Sequence, residues 1–233
     1  MYTNDPTYIL CMLPAFLLPM LAQWWVSSTY RRWGQTKNSL GMNGQDAAQR
    51  LLAQARLPGV EVASTQGRLS DHYDPRTRRL HLSPEVAGVP SVASLAITAH
   101  EIGHAMQDRD GFAPLRIRSA LVPAANIGSN LGWILLIIGL ILGVFELALL
   151  GLIVFSVGAL FALATLPVEF NASARARQLL TDTGLLYSEE ERRGVNSMLN
   201  AAAFTYVAAL LVAILNVLRF ALMVVGLGGR RRS

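Results

Sequence analysis

Apolar positions gather into three long blocks. From Tyr8 to Val26 the chain is almost continuously apolar over the length needed to cross a bilayer, with Pro14 and Pro19 placed to kink it and Trp24-Trp25 where an interfacial anchor sits. From Leu121 to Val168 there is no Lys or Arg, and Glu146 is the single charge. At a rise of about 1.5 Å per residue this stretch makes two spans of roughly 30 Å and a tight turn, placed near Gly143 to Glu146, where the glutamate is read as a solvated tip residue in preference to a proton-relay carboxylate within the bilayer. The third block, Ala201 to Val225, is broken only by Thr205, Tyr206, Asn216 and Arg219. An arginine there either faces protein or marks a segment that bends back to the interface.

Between these blocks the periodicity changes. Gly44 to Arg56 repeats apolar residues at helical spacing and is stopped by Pro58-Gly59. Val60-Glu61-Val62 suits a short strand. Asp71 to Pro84 reads as strand, Asp-Pro turn, strand, with Leu80 and Leu82 alternating against Arg79 and His81. A hairpin of this kind offers an open edge to an extended peptide, or is simply scaffold. Ser91 to Met106 carries an apolar stripe of Val92, Leu95, Ala96, Ala99, Ile102 and Met106, and Ser188 to Glu191 forms a capping box for a further helix. The pattern predicts a mainly α integral membrane protein with a small β-hairpin and three to four transmembrane helices. Its parts are an N-terminal anchor over 1–30, a metal-helix domain over 31–118, a transmembrane hairpin over 119–167 and a closing helical region over 168–233, all in one catalytic unit.

Composition agrees: 52% of residues are hydrophobic and 15% charged, against about a quarter charged in ordinary soluble domains. The net charge of +5 belongs to arginines flanking apolar spans, and no basic run interleaved with aromatics or phosphate-binding loop points to nucleic acid. Lys and Arg are absent before the first span and from the hairpin tip, and abundant over 31–118 and 168–200. Both intervening regions are therefore expected on the cytoplasmic side of a bacterial cell membrane. The triple arginine 230–232 conflicts with a fully crossing last helix. Cys11, the lone cysteine, has no disulfide partner in the chain and is read as a packing residue.

The chemistry centres on His100-Glu101-Ile102-Gly103-His104, an H-E-x-x-H pattern. Two histidines four apart project from one helix face about 6 Å apart, so one zinc ion can accept a nitrogen from each, with Glu101 left beside it as an acid–base group. Gly103 costs about 1 kcal/mol in a helix and is expected to admit a neighbouring element closely. A catalytic zinc takes three protein ligands. Glu169 is the best-placed downstream carboxylate: Pro167 is read as opening a new helix with Glu169 in its first turn, where the dipole favours the ionised form. By position alone a helix-capping role fits Glu169 nearly as well. Asn171 and Ser173 are candidates to support the ligands. His72 and His81 are weighed as extra ligands or hydrogen-bond donors against plain structural roles, and Asp71 and Asp74 are read as turn residues.

The arrangement resembles the YugP-type membrane zinc metallopeptidases of bacteria over nearly the whole chain. The resemblance rests on Asp71-His72-Tyr73-Asp74-Pro75, on Ala99-His100-Glu101-Ile102-Gly103-His104-Ala105 with Gln107-Asp108, and on Leu166-Pro167-Val168-Glu169-Phe170-Asn171-Ala172-Ser173. More distantly it is similar to HtpX-type integral-membrane proteases, but Ser173 stands where those carry an aspartate. The resemblance implies a helical, zincin-like peptidase with zinc on His100, His104 and Glu169 and Glu101 as general base, acting on peptides or membrane proteins at the lipid bilayer. Tyr206 is a candidate for stabilising an oxyanion. The rival expectations are a non-enzymatic zinc-binding membrane scaffold and a zinc hydrolase of a non-peptide substrate.

Overall fold

In the computed structural model, the backbone of residues 6–230 and the side chains of residues 12–229 are described. The expectation for Cys11 and that for the arginines 231 and 232 lie outside the described residues. The first helix, α1 (Pro6–Gln35), runs through Pro14 and Pro19. Asn43 then caps α2 (Gly44–Gln54), its side-chain oxygen accepting from the Asp46 N–H at 2.8 Å, and Ala47, Ala48, Leu51 and Leu52 form the buried face.

Three strands follow: β1 (Glu61–Ser64), β2 (His72–Asp74) and β3 (Arg79–Leu82), in the order β1-β3-β2. The expected hairpin is present as the antiparallel pair β2–β3, and β1 joins β3 in parallel, so the sheet has three strands and both β1 and β2 are edges. Its register puts Val62, Leu80 and Tyr73 in one row, with Leu80 buried in the core. The alternating row, Ala63, His81 and His72, lies on the other face. Asp74 is a turn residue as expected, accepting from the Arg76 N–H and the Thr77 hydroxyl. Asp71 instead reaches across to Ser83, accepting from its N–H at 2.7 Å and from its hydroxyl at 3.1 Å.

After the short α3 (Pro84–Gly88), Ser91 caps α4 (Val92–Arg109) through the Ser94 N–H. Its stripe of Val92, Leu95, Ala96, Ala99 and Ile102 is fully buried in a core shared with α2 and β3. Asp110 and Gly111, with Gly111 at φ +60, end the helix before α5 (Ala113–Leu142). The hairpin tip falls at Gly143, φ +68, and Glu146 lies exposed in the first turn of α6 (Phe145–Phe155). A break at Ser156 separates α6 from α7 (Val157–Asp182).

One expectation is corrected here. Pro167 does not open a new helix: α7 runs unbroken through it, so Glu169 sits mid-helix and has no free helix N-terminus beside it. A proline removes a single ladder bond, and a long helix held by its neighbours on both sides tolerates that loss.

The last helix, α8 (Glu189–Arg230), begins at the expected capping box: Glu191 N–H donates to the Ser188 hydroxyl at 3.1 Å and Ser188 N–H donates back to the Glu191 carboxylate at 2.9 Å. Among the described residues three helical stretches are long and apolar enough to cross a membrane, Ala113–Leu142, Phe145–Asp182 and Glu189–Gly229. Arg219 faces protein, one guanidinium nitrogen lying 2.6 Å from the Met12 sulfur and the group stacking over Phe220.

The chain divides into two compact units. One comprises residues 1–22, 116–166 and 205–233, the other residues 23–115 and 167–204. In the first, a Cβ at Gly132, Gly139 or Gly151 would run into the backbone of Phe155, Ala148 or Leu136, so α5 and α6 pack backbone to backbone in the manner of membrane helices. Ile127, Ile141 and Leu142 on α5 and Ile153 on α6 are exposed, as lipid-facing residues are. The second unit carries the sheet, the buried apolar core and the H-E-x-x-H helix.

Besides its capping-box bond, buried Glu191 accepts from the N–H groups of Ser39 at 2.6 Å and Tyr187 at 2.7 Å. Replacing it with Ala strands three backbone donors. The expected loss is roughly 2 to 3 kcal/mol, read from denaturant unfolding of the detergent-solubilised protein.

Candidate metal centre

α4 and α7 meet at Gly103. A Cβ there would lie 2.5 Å from the carbonyl oxygen of Ala172 and 3.2 Å from its Cα, so only glycine lets the two backbones come this close. The expectation for Gly103 is met, and the contact aligns the polar face of α4 with the residues that follow Pro167. His100 and His104, one turn apart, are nearly covered, with rings 4.8 Å apart and edge-on at 85°.

Glu169 projects from α7 toward the two rings. Its Oε2 lies 3.3 Å from His100 Nε2 and 3.5 Å from His104 Nε2, and the side chain is almost fully buried. One ligand atom from each of the three residues falls within a 4.8 Å cluster, the only such His/Cys/Asp/Glu group among the described residues. The spacing suits a metal. Ligands about 2.0 to 2.1 Å from a tetrahedral zinc stand roughly 3.3 Å apart, which is the separation Glu169 keeps from each histidine. Two imidazole nitrogens and one carboxylate oxygen are also a donor set of catalytic zinc sites, so the residues present fit the ion.

The far side of each imidazole is held as well. The Ser173 hydroxyl lies 3.3 Å from His100 Nδ1, and the side-chain oxygen of Gln107 lies 3.0 Å from His104 Nδ1. Asn171 is at one remove, its Oδ1 accepting from Gln107 at 3.1 Å and from Arg175 at 2.8 Å.

Glu101 is outside the three-residue cluster. Its Oε2 accepts the Tyr73 N–H at 3.1 Å, and the Tyr73 hydroxyl donates to Asp108 at 2.9 Å, so the edge strand β2 is fastened to α4 at two points about two turns apart. Burial raises the Glu101 carboxyl above the usual carboxylate range, against the opposing pull of the two histidines and the Tyr73 N–H. Reading the sequence did not find the Tyr73 contact. Its one available signal was the position of Asp108 two turns after Glu101 on the same helix face.

His72 and His81 stack on each other across β2 and β3, rings 4.6 Å apart and 6° from parallel, and are not part of the metal cluster. Tyr206 belongs to the unit of apolar helices, not to the one that holds these residues.

A profile of the family described as "putative neutral zinc metallopeptidase" matches residues 8–225. The chain belongs to that family. A Bacillus subtilis (strain 168) protein named "Putative membrane protease YugP" is 39% identical over 216 residues, covering 93% of this chain and 96% of that protein. No solved structure matches. This zinc-metallopeptidase-family chain, with its three apolar spans, is a membrane protein of mainly helical fold. Its two-histidine, one-glutamate cluster is a set of side chains that could hold a metal ion, and zinc is the metal in the family's description.

Because the Gly103 contact is with backbone, Gly103→Ala cannot be relieved by a rotamer change. The variant should unfold about 1 to 3 kcal/mol more easily and hold less than one zinc per chain by elemental analysis. Wild-type stability together with full metal content would show that α7 does not press on this position.

Proposed function

We propose that the protein is a membrane-embedded zinc endopeptidase in which His100, His104 and Glu169 hold the metal and Glu101 is the general base. The observation that carries this reading is the Glu169 carboxylate oxygen at 3.3 and 3.5 Å from the two Nε2 atoms. Zinc held there supplies Lewis acidity, polarising a scissile carbonyl and lowering the pKa of water toward neutrality. Glu101 follows His100 directly on the same helix and is oriented by the Tyr73 N–H. It takes the proton of the attacking water and passes it to the amine nitrogen as the C–N bond breaks.

β2 is an edge strand, and its Tyr73 already touches the base. An extended peptide lying along that edge would bring its carbonyl to the base and the metal together. The substrates are accordingly peptide segments of membrane proteins or of juxtamembrane regions, and the role is removal of such chains in quality control. The density of Lys and Arg over 31–118 and 168–200 supports a cytoplasmic location for the site.

Glu101→Gln keeps the shape of the side chain and removes its basicity. It should retain one zinc per chain while casein hydrolysis falls by about 10²- to 10⁴-fold. A variant that cleaves at the wild-type rate discards the mechanism. A wild-type protein that binds zinc yet cleaves nothing, with or without chelator, favours a metal-binding scaffold instead. For the location, a cysteine at exposed Gln66 in a Cys11→Ser background should react with a membrane-impermeant maleimide only after the cell membrane is opened. Labelling of intact cells would place the site outside.

A further inference from the structure

Gln107 is fully buried one turn beyond His104, and each of its amide atoms is spoken for. Its Nε2 donates to the backbone carbonyl of Val168 at 2.7 Å and to Asn171 Oδ1 at 3.1 Å, and its Oε1 lies 3.0 Å from His104 Nδ1. The Val168 carbonyl can only accept, so the NH₂ end of the amide has to face α7 and the oxygen end has to face His104. Asn171 is oriented in the same sense. Its Oδ1 accepts from the Arg175 guanidinium, which has no acceptor, and Arg175 is in turn paired with Asp110. An amide oxygen offers no proton, so His104 must carry its own on Nδ1. A neutral imidazole protonated at Nδ1 presents its lone pair at Nε2, the atom that faces Glu169. The opposite ligand is held differently: the hydroxyl of Ser173 can donate or accept, so its contact with His100 imposes no tautomer.

We infer that Gln107 is a positioning residue that locks His104 in the Nδ1–H tautomer and ties the ligand-bearing stretches of α4 and α7 together, so that the His104 lone pair and the Glu169 carboxylate converge on one point. The inference rests on the zinc reading above for what the lone pair binds. The tautomer itself rests only on the hydrogen bonds. One amide links both helices: Val168 immediately precedes Glu169, so the bond that orients the amide also pins the backbone beside the carboxylate ligand.

The test uses the full-length protein in detergent with ¹⁵N-labelled histidine. The chain has only four histidines, which makes the imidazole signals assignable with single His→Gln variants. With zinc bound the His104 ring should show a protonated Nδ1 and an Nε2 shifted by the metal, and in chelator Nδ1 should stay protonated. In Gln107→Leu the free-solution preference for Nε2–H should return and zinc affinity, measured by chelator competition, should fall about 10- to 100-fold with unchanged helical circular dichroism. A wild-type His104 whose Nδ1 is unprotonated overturns the inference without any variant, as does Gln107→Leu with wild-type tautomer and affinity. Zinc that moves none of the four rings overturns the zinc reading and the ligand-positioning role with it, while an Nδ1–H signal on His104 would still uphold the hydrogen-bond chain.

Discussion

The centre depends on two helices coming close enough for backbone to touch backbone. Gly103 on α4 meets the Ala172 carbonyl on α7, and everything chemical about the site follows from the registration that this contact imposes. Three residues of α4 and three of α7 face one another there: His100, His104 and Gln107 against Glu169, Asn171 and Ser173. A side chain at Gly103 would move the facing helix by more than the tolerance of a metal–ligand bond, which is a few tenths of an ångström. The glycine's unfavourable helix propensity, about 1 kcal/mol, is small beside what the approach makes possible.

Burial then dictates pairing. Glu169 is almost wholly removed from water, and an isolated carboxylate in such a place is strongly destabilised unless cations or donors surround it. Two imidazoles at hydrogen-bond range provide part of that surrounding. The rings are in turn restrained from behind, one by a hydroxyl and the other by a buried amide. The carboxylate rides on the interior of a continuous helix through Pro167, so its position along the axis is set by rigid backbone, with no loop to flex. A ligand presented from a helix interior is also held more narrowly in rotamer than one presented from a connection.

Much of this was legible in the residues. Hydrophobic run lengths give the spans because each span must satisfy its own backbone within the bilayer, a requirement that needs no tertiary partner. The capping box at Ser188 and Glu191 and the Asp74 turn were legible because their bonds close within four residues. The i, i+4 spacing of His100 and His104 is a helix property and needs nothing else. Pro167 misled because a local rule was outvoted: a missing ladder bond is a modest cost when both flanks of the helix are held by packing, so the proline was carried inside α7 instead of starting a helix. Asp71 misled for a related reason. Its partner Ser83 is twelve residues away, across two strands, where turn chemistry gives no hint of it.

By itself the sequence determined the helical membrane character, the two imidazoles on one face, the adjacent glutamate and the need for close approach at a glycine. Each of these is written in spacing of a few residues or in the solubility of a run. Only the tertiary structure decided that Glu169 reaches the histidines, that Tyr73 from a neighbouring strand bonds Glu101, that Ser173 stands behind His100, and that Gln107 bonds Val168 and Asn171 on α7. Those contacts join residues 28 to 73 positions apart. Over such separations no periodicity survives, and the geometry exists only once the core has packed the helices into register.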